Sequence, residues 1–172
     1  MLKRSGFFLF SLFFLALFSS LYNWPATVME IRLENGPILF SEAIPEGWSI
    51  TSRIVHSLER TPVEDDYRIV GGRIWQWEER FRSNNAGLPT VEPSNGRFLS
   101  SKEWFVIRGG RNRWEFLDYR IGTPSLGRNV LVLEGYGAVA VHERFAGQRI
   151  RLQPRTHPLG KIYPVLNLFD FR

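Results

Sequence analysis

Hydrophobic and polar positions divide the chain into two unlike parts. Residues 7–22 read FFLFSLFFLALFSSLY, an uncharged run preceded by Lys3 and Arg4, and no charge returns until Glu30. An apolar surface without a polar stripe suits lipid or a translocon better than one face of a soluble helix. The pattern predicts a helix over residues 1–22 that stands apart from the rest. Beyond Pro25 the period shortens to two. Met29, Ile31 and Leu33 oppose Val28, Glu30 and Arg32, then Asn35-Gly36 marks a turn and an apolar run restarts at Pro37. Trp48, Ile50, Ser52 and Ile54 share one face of an extended segment.

A break at residues 57–62 precedes a second run over 67–70, and Gly71-Gly72 links it to 73–81. In that last run Ile74, Gln76, Glu78 and Arg80 fall on one face, with Trp75, Trp77, Glu79 and Phe81 on the other. Residues 83–98 read as a long loop, and loops of that length tend to carry function. Runs at 103–108 and 114–121 flank Gly109-Gly110, and further runs follow at 129–133, 138–142 and 149–153. Both Gly-Gly pairs are expected at hairpin tips, where two-residue turns need positive φ. The segment after Arg155 is expected to lie across the sheets or to form one edge strand. Short strands at regular spacing, without a capped helical period, predict a mainly β fold. It is a single antiparallel β-sandwich or partly open barrel over residues 26–172, preceded by the N-terminal hydrophobic helix.

Composition narrows the chemistry. The chain of 172 residues has no Cys, which excludes a disulfide scaffold, a thiol nucleophile and a Cys-ligated metal. Its 22 basic residues include Lys3 and Arg4, leaving 20 basic against 17 acidic in the remainder. Export and the interspersed acids argue against nucleic acid as a partner. The sharpest basic cluster, Arg108 to Arg113 with Trp114 behind it, reads as a hairpin tip that could touch anionic headgroups. A basic start followed by an apolar stretch is a signal anchor or a signal peptide, here residues 1–25. As a helix, residues 7–24 span about 27 Å, enough for a thin bilayer. Leu21, Tyr22, Asn23 and Trp24 stand where a peptidase prefers small residues, and Tyr22 and Trp24 suit an interfacial belt. The pattern therefore favours an uncleaved single-pass anchor with the C-terminal domain outside the cell membrane. Cleavage would instead give a secreted or periplasmic domain.

The densest polar stretch runs from Arg53 to Tyr67 and delivers His56, Ser57, Glu59, Arg60, Thr61, Glu64, Asp65 and Asp66, expected at a strand-to-strand connection. His56 and Ser57 are adjacent, so in a strand they point to opposite faces, and no nucleophile elbow is present. His56, His142 and His157 lack ligand spacing, and the acids lack the alternation of a calcium loop, so no metal and no cofactor are predicted. His142 reads as a structural residue at a strand end. Trp75 and Trp77 read as core. Arg53, Arg60 and His56 offer donors and the acids acceptors, which fits recognition of a ligand or partner, or a polar cluster that ties a corner.

The stretch His56-Ser-Leu-Glu-Arg-Thr-Pro-Val63, an acidic pair and Tyr67, with Glu79-Arg-Phe-Arg-Ser-Asn-Asn-Ala-Gly-Leu-Pro89 after it, resembles a bacterial family of domains of unknown function. Members are often encoded beside TAXI-type TRAP transporter subunits. Leu58 stands where that pattern has Val, and Asn85 where Gly is usual. The resemblance implies an accessory or binding module whose partners are TRAP-type transporter subunits or a small solute. The candidate binding residues are His56, Ser57, Glu59, Arg60, Asp65, Asn85, Gly87 and Pro89. The alternative is a cell-envelope hydrolase using His56 with Asp65 or Glu59. Residues 56–60 and 83–89 are expected to meet in space, because the strands that end at His56 and Phe81 run in the same direction.

Overall fold

The computed structural model describes residues 2–83, 92–94 and 96–162, with the side chains of 2–9, 110 and 111 outside that description. A helix, α1 (Leu2–Tyr22), opens the chain. Eleven strands follow: β1 (Pro25–Leu33), β2 (Ile38–Ala43), β3 (Ser49–Val55), β4 (Pro62–Val70), β5 (Arg73–Phe81), β6 (Arg97–Ser100), β7 (Phe105–Trp114), β8 (Leu117–Arg120), β9 (Gly127–Leu133), β10 (Gly137–Val139) and β11 (Arg149–Pro158). A short helix, α2 (Val141–Arg144), precedes β11, and a 3₁₀ turn (Leu159–Lys161) follows it. Described side chains of α1 are all exposed, Phe18 at 70%, and only the helix's C-terminal end touches the 3₁₀ turn. Among the described residues no helix is long and apolar enough to cross a membrane.

Two antiparallel sheets form, one of four strands in the order β2-β1-β11-β8 and one of seven in the order β10-β9-β3-β4-β5-β7-β6. Neither closes into a barrel. Alternation explains how they pack. Met29 and Ile31 of β1 and Ile150 and Leu152 of β11 turn inward, to meet Ile50, Tyr67, Ile69, Ile74, Leu131 and Leu133 of the large sheet in one buried core. Aromatic rings close one side of it: Phe40 stacks on Trp48 at 6.0 Å and meets Tyr136 edge-on at 4.9 Å. A second, smaller cluster holds Val63, Phe81 and Ile107, packed by Ile54, Phe98 and Phe105. Every one of these residues belongs to the large sheet, which therefore extends past the small sheet at the β3–β4 hairpin end.

Several expectations need correction. Gly71-Gly72 does form the β4–β5 turn, with φ of 59° and 67°, the two left-handed positions of a type I′ hairpin. Gly109-Gly110 does not form a tip: it lies inside the continuous strand β7. There Gln76 faces Asn112 while Glu78 faces Arg108, so β7 sets residues 109–111 against Trp77 alone. Glycine is used for the bulge, with Gly109 at φ 131°. Trp77 is also an extra residue relative to β4, because Asp66 pairs with Glu78 and Tyr67 with Gln76. The inward face of β5 changes parity there. Ile74 and Gln76 face in before the bulge, Glu79 and Phe81 after it. Trp75 is half-buried and Trp77 exposed, so neither is core. His142 sits in α2 rather than at a strand end.

Candidate functional site

β3 and β4 are joined by residues 56–61, and this hairpin is built on local hydrogen bonds. The His56 amide donates to the Thr61 carbonyl at 2.8 Å, and the Arg60 amide to the His56 carbonyl at 3.0 Å. The Glu59 amide reaches His56 Nδ1 at 3.4 Å. Closing the turn puts Arg60 in the left-handed region, φ 56°, a conformation unusual for a residue with a Cβ. Ser57 and Leu58 project into solvent, Leu58 at 77% exposure.

Two further segments meet this hairpin. Ser83, just beyond the end of β5, donates its hydroxyl to Glu59 Oε2 at 3.0 Å. The expected meeting of residues 56–60 with the 83–89 segment holds at Ser83; Asn85, Gly87 and Pro89 lie outside the described residues. The strand directions explain it: β3, β4 and β5 form an antiparallel meander, so β3 and β5 end at the same edge. The second segment is the loop before β9. Arg60 Nη1 donates to the Ser125 carbonyl at 3.2 Å. Leu126, on the same loop, is also exposed. Local periodicity carries no sign of it, because the contact depends on β9 lying beside β3, far off in the chain. On the other flank the Arg82 guanidinium covers the Trp104 ring at 4.9 Å.

Asp65 belongs elsewhere. β4 begins at Pro62, so Glu64, Asp65 and Asp66 lie within a strand and not at a connection. Asp65 pairs across β3 with Ser52, four positions beyond Thr61, or about 13 Å along the strand. Across β5 it pairs with Glu79. The structure does not bring His56 and Asp65 together. Asp65 instead belongs to a buried polar row between the two apolar clusters, accepting from Gln76 Nε2 at 2.8 Å. Burial pushes its carboxyl above the ordinary range, against the opposing effect of hydrogen bonds from Gln76 and Tyr67. Burial first, then the nearby Asp65 charge, also pushes the Tyr67 hydroxyl up. The row continues through Ser52 Oγ to Tyr119 Oη at 2.7 Å, then to Asn129 Nδ2 at 2.7 Å. His142 Nδ1 closes it on the Asn129 carbonyl at 2.8 Å. Asn129 and Tyr119 escaped notice in the sequence because single polar residues on short strands carry no pattern.

The outward face of the same sheet carries an ion-pair ladder. Arg53 meets Glu64 at 3.2 Å, Glu64 meets Arg80 at 2.9 Å, Arg80 meets Glu78 at 3.5 Å and Glu78 meets Arg108 at 2.6 Å. Among the described residues no group of three or more His, Cys, Asp or Glu is placed to hold a metal ion.

The described rim therefore offers adaptable polar groups around an exposed leucine, and His56 Nδ1 is occupied by a backbone amide. Residues 50–137, just over half of the chain, match the family model described as Domain of unknown function (DUF1850). No curated protein and no solved structure matches.

Proposed function

We propose a binding function for a chain that, on the match over residues 50–137, belongs to the DUF1850 family. It is an extracytoplasmic accessory module, tethered to the cell membrane by its N-terminal helix, and it serves a TRAP-type solute uptake system by docking on a transporter subunit. The docking surface is the rim made by Leu58, Glu59, Arg60, Ser83 and Leu126. The observation that carries this reading is the Ser83–Glu59 hydrogen bond, which ties both family-like motifs to the base of a turn whose tip holds an exposed leucine. An apolar centre ringed by polar groups matches the core-and-rim anatomy of protein interfaces.

The test is co-purification of the full-length chain with a TRAP-type transporter subunit made in the same cells. Leu58→Asp is expected to weaken the complex about tenfold or more, the loss of roughly 1.4 kcal/mol. Glu59→Ala is expected to weaken it at nearly unchanged melting temperature. If both variants bind as the parent does, the rim is not the docking surface.

A further inference from the structure

The end of the large sheet opposite the rim lies beside the root of α1. The Leu159 amide donates to the Trp24 carbonyl at 2.9 Å, and β1 leaves the helix by pairing Pro25 with Pro158. A Cβ placed at Gly72 would lie 3.9 Å from Thr156 Oγ1. Thr156 pairs with Thr27, two register positions above the root, about 7 Å. The β4–β5 turn is thus level with the first residues that follow the helix. A headgroup layer is about 5–7 Å thick on each side of the hydrocarbon. Among the groups exposed at this level are four that favour such a layer: Tyr22, Trp24 at 60% exposure, Leu159 and Val70. Trp75 is held there by its Nε1 bond to the Val70 carbonyl, with the Arg113 guanidinium 5.4 Å above its ring.

We infer that this end of the β domain is seated in the anionic headgroup layer of the bilayer that holds α1. Val70 and Trp75 enter the interface, and Arg113 and Lys161 face lipid phosphates. Two acids also stand here: Glu46, which accepts from the Gly71 amide at 2.6 Å, and Glu115, which pairs with Arg73 at 3.2 Å. Arg73 offsets Glu115, and Arg113 and Lys161 outweigh the remaining charge of Glu46, so this end presents a net positive charge to lipid. Seating fixes the domain's orientation. β4 spans nine residues, so the Leu58 tip points away from the membrane at a height of about 30 Å. The placement rests on the tether proposed above.

The Cys-free chain permits a direct test. Phe14→Cys, Val70→Cys and Leu58→Cys, each labelled with a polarity-sensitive fluorophore, are compared in the full chain reconstituted into vesicles of phosphatidylcholine and phosphatidylglycerol. The probe at 14 should be quenched by an acyl-chain nitroxide, the probe at 70 by a headgroup nitroxide, and the probe at 58 by aqueous iodide alone. Vesicles of phosphatidylcholine alone, or Arg113→Ala, should reduce headgroup quenching at 70 and leave 14 unchanged. If 14 is quenched by acyl chains while 70 behaves like 58, the seating is wrong and the tether stands. If 14 itself is open to iodide, the tether fails and the seating with it.

Discussion

Arg60 holds the hairpin turn in a conformation that costs a residue with a Cβ about 1–2 kcal/mol. Its bond to the Ser125 carbonyl is exposed and returns little of that. Arg60→Gly is therefore expected to keep the unfolding free energy or raise it by up to about 1 kcal/mol, despite the looser unfolded chain. Arg60→Val, branched at Cβ, is expected to lower it by about 1–2 kcal/mol. Urea unfolding of the three proteins decides. Asp65 makes a prediction of the opposite kind. Its carboxyl is raised in the folded state by burial, so folding is favoured by its protonated form. That contribution is complete below the ordinary carboxyl range, about pH 4, and is lost as pH rises through the folded-state value. Asp65→Asn keeps an acceptor for Gln76 and removes the charge. It should stabilise the protein at neutral pH, with the gain shrinking on acidification. A gain that did not change with pH would contradict burial of the charge as its source.

At the scale of elements, the outward ladder is where charge matters. Glu64 is largely covered and serves both Arg53 and Arg80, and Arg80 Nε is buried without a partner. Glu64→Gln is expected to cost about 1–2 kcal/mol, less in high salt, whereas Arg73→Ala, from an exposed pair, should cost well under 1 kcal/mol. The bulge in β7 offers a second contrast. Gly109→Ala, at φ 131°, is expected to cost about 1 kcal/mol or more, as Ala is strained in that region. Much of this architecture was legible. β5 kept the bounds of its β-rich run, Arg73 to Phe81, and the Gly71-Gly72 turn followed from glycine chemistry. What stayed hidden was set by neighbours. Gly109-Gly110 carries the same local signal as a turn, and only pairing with β5 turns it into a bulge. The parity change at Trp77 hid Glu79 from the inward face, because a period of two cannot show where a residue has been inserted. Ser125 and Leu126 joined the rim through β9, a partner no local pattern announces.

For the whole molecule, the pairing of β1 with β11 sets a constraint of another kind. The two strands match over nine register positions, from Pro25 with Pro158 to Leu33 with Ile150. No other strand can take the place of β11, since it joins β1 to β8 in the small sheet. A chain ending at residue 148 should therefore remain sensitive to protease and lack a cooperative unfolding transition, although all seven strands of the large sheet are present. Closure over so long a separation is slow, on the order of milliseconds to seconds. For a protein delivered N-terminus first, whether from a ribosome or through a narrow pore, the topology acts as a timer. The helix is presented at once, while the rest stays threadable until its last strand emerges.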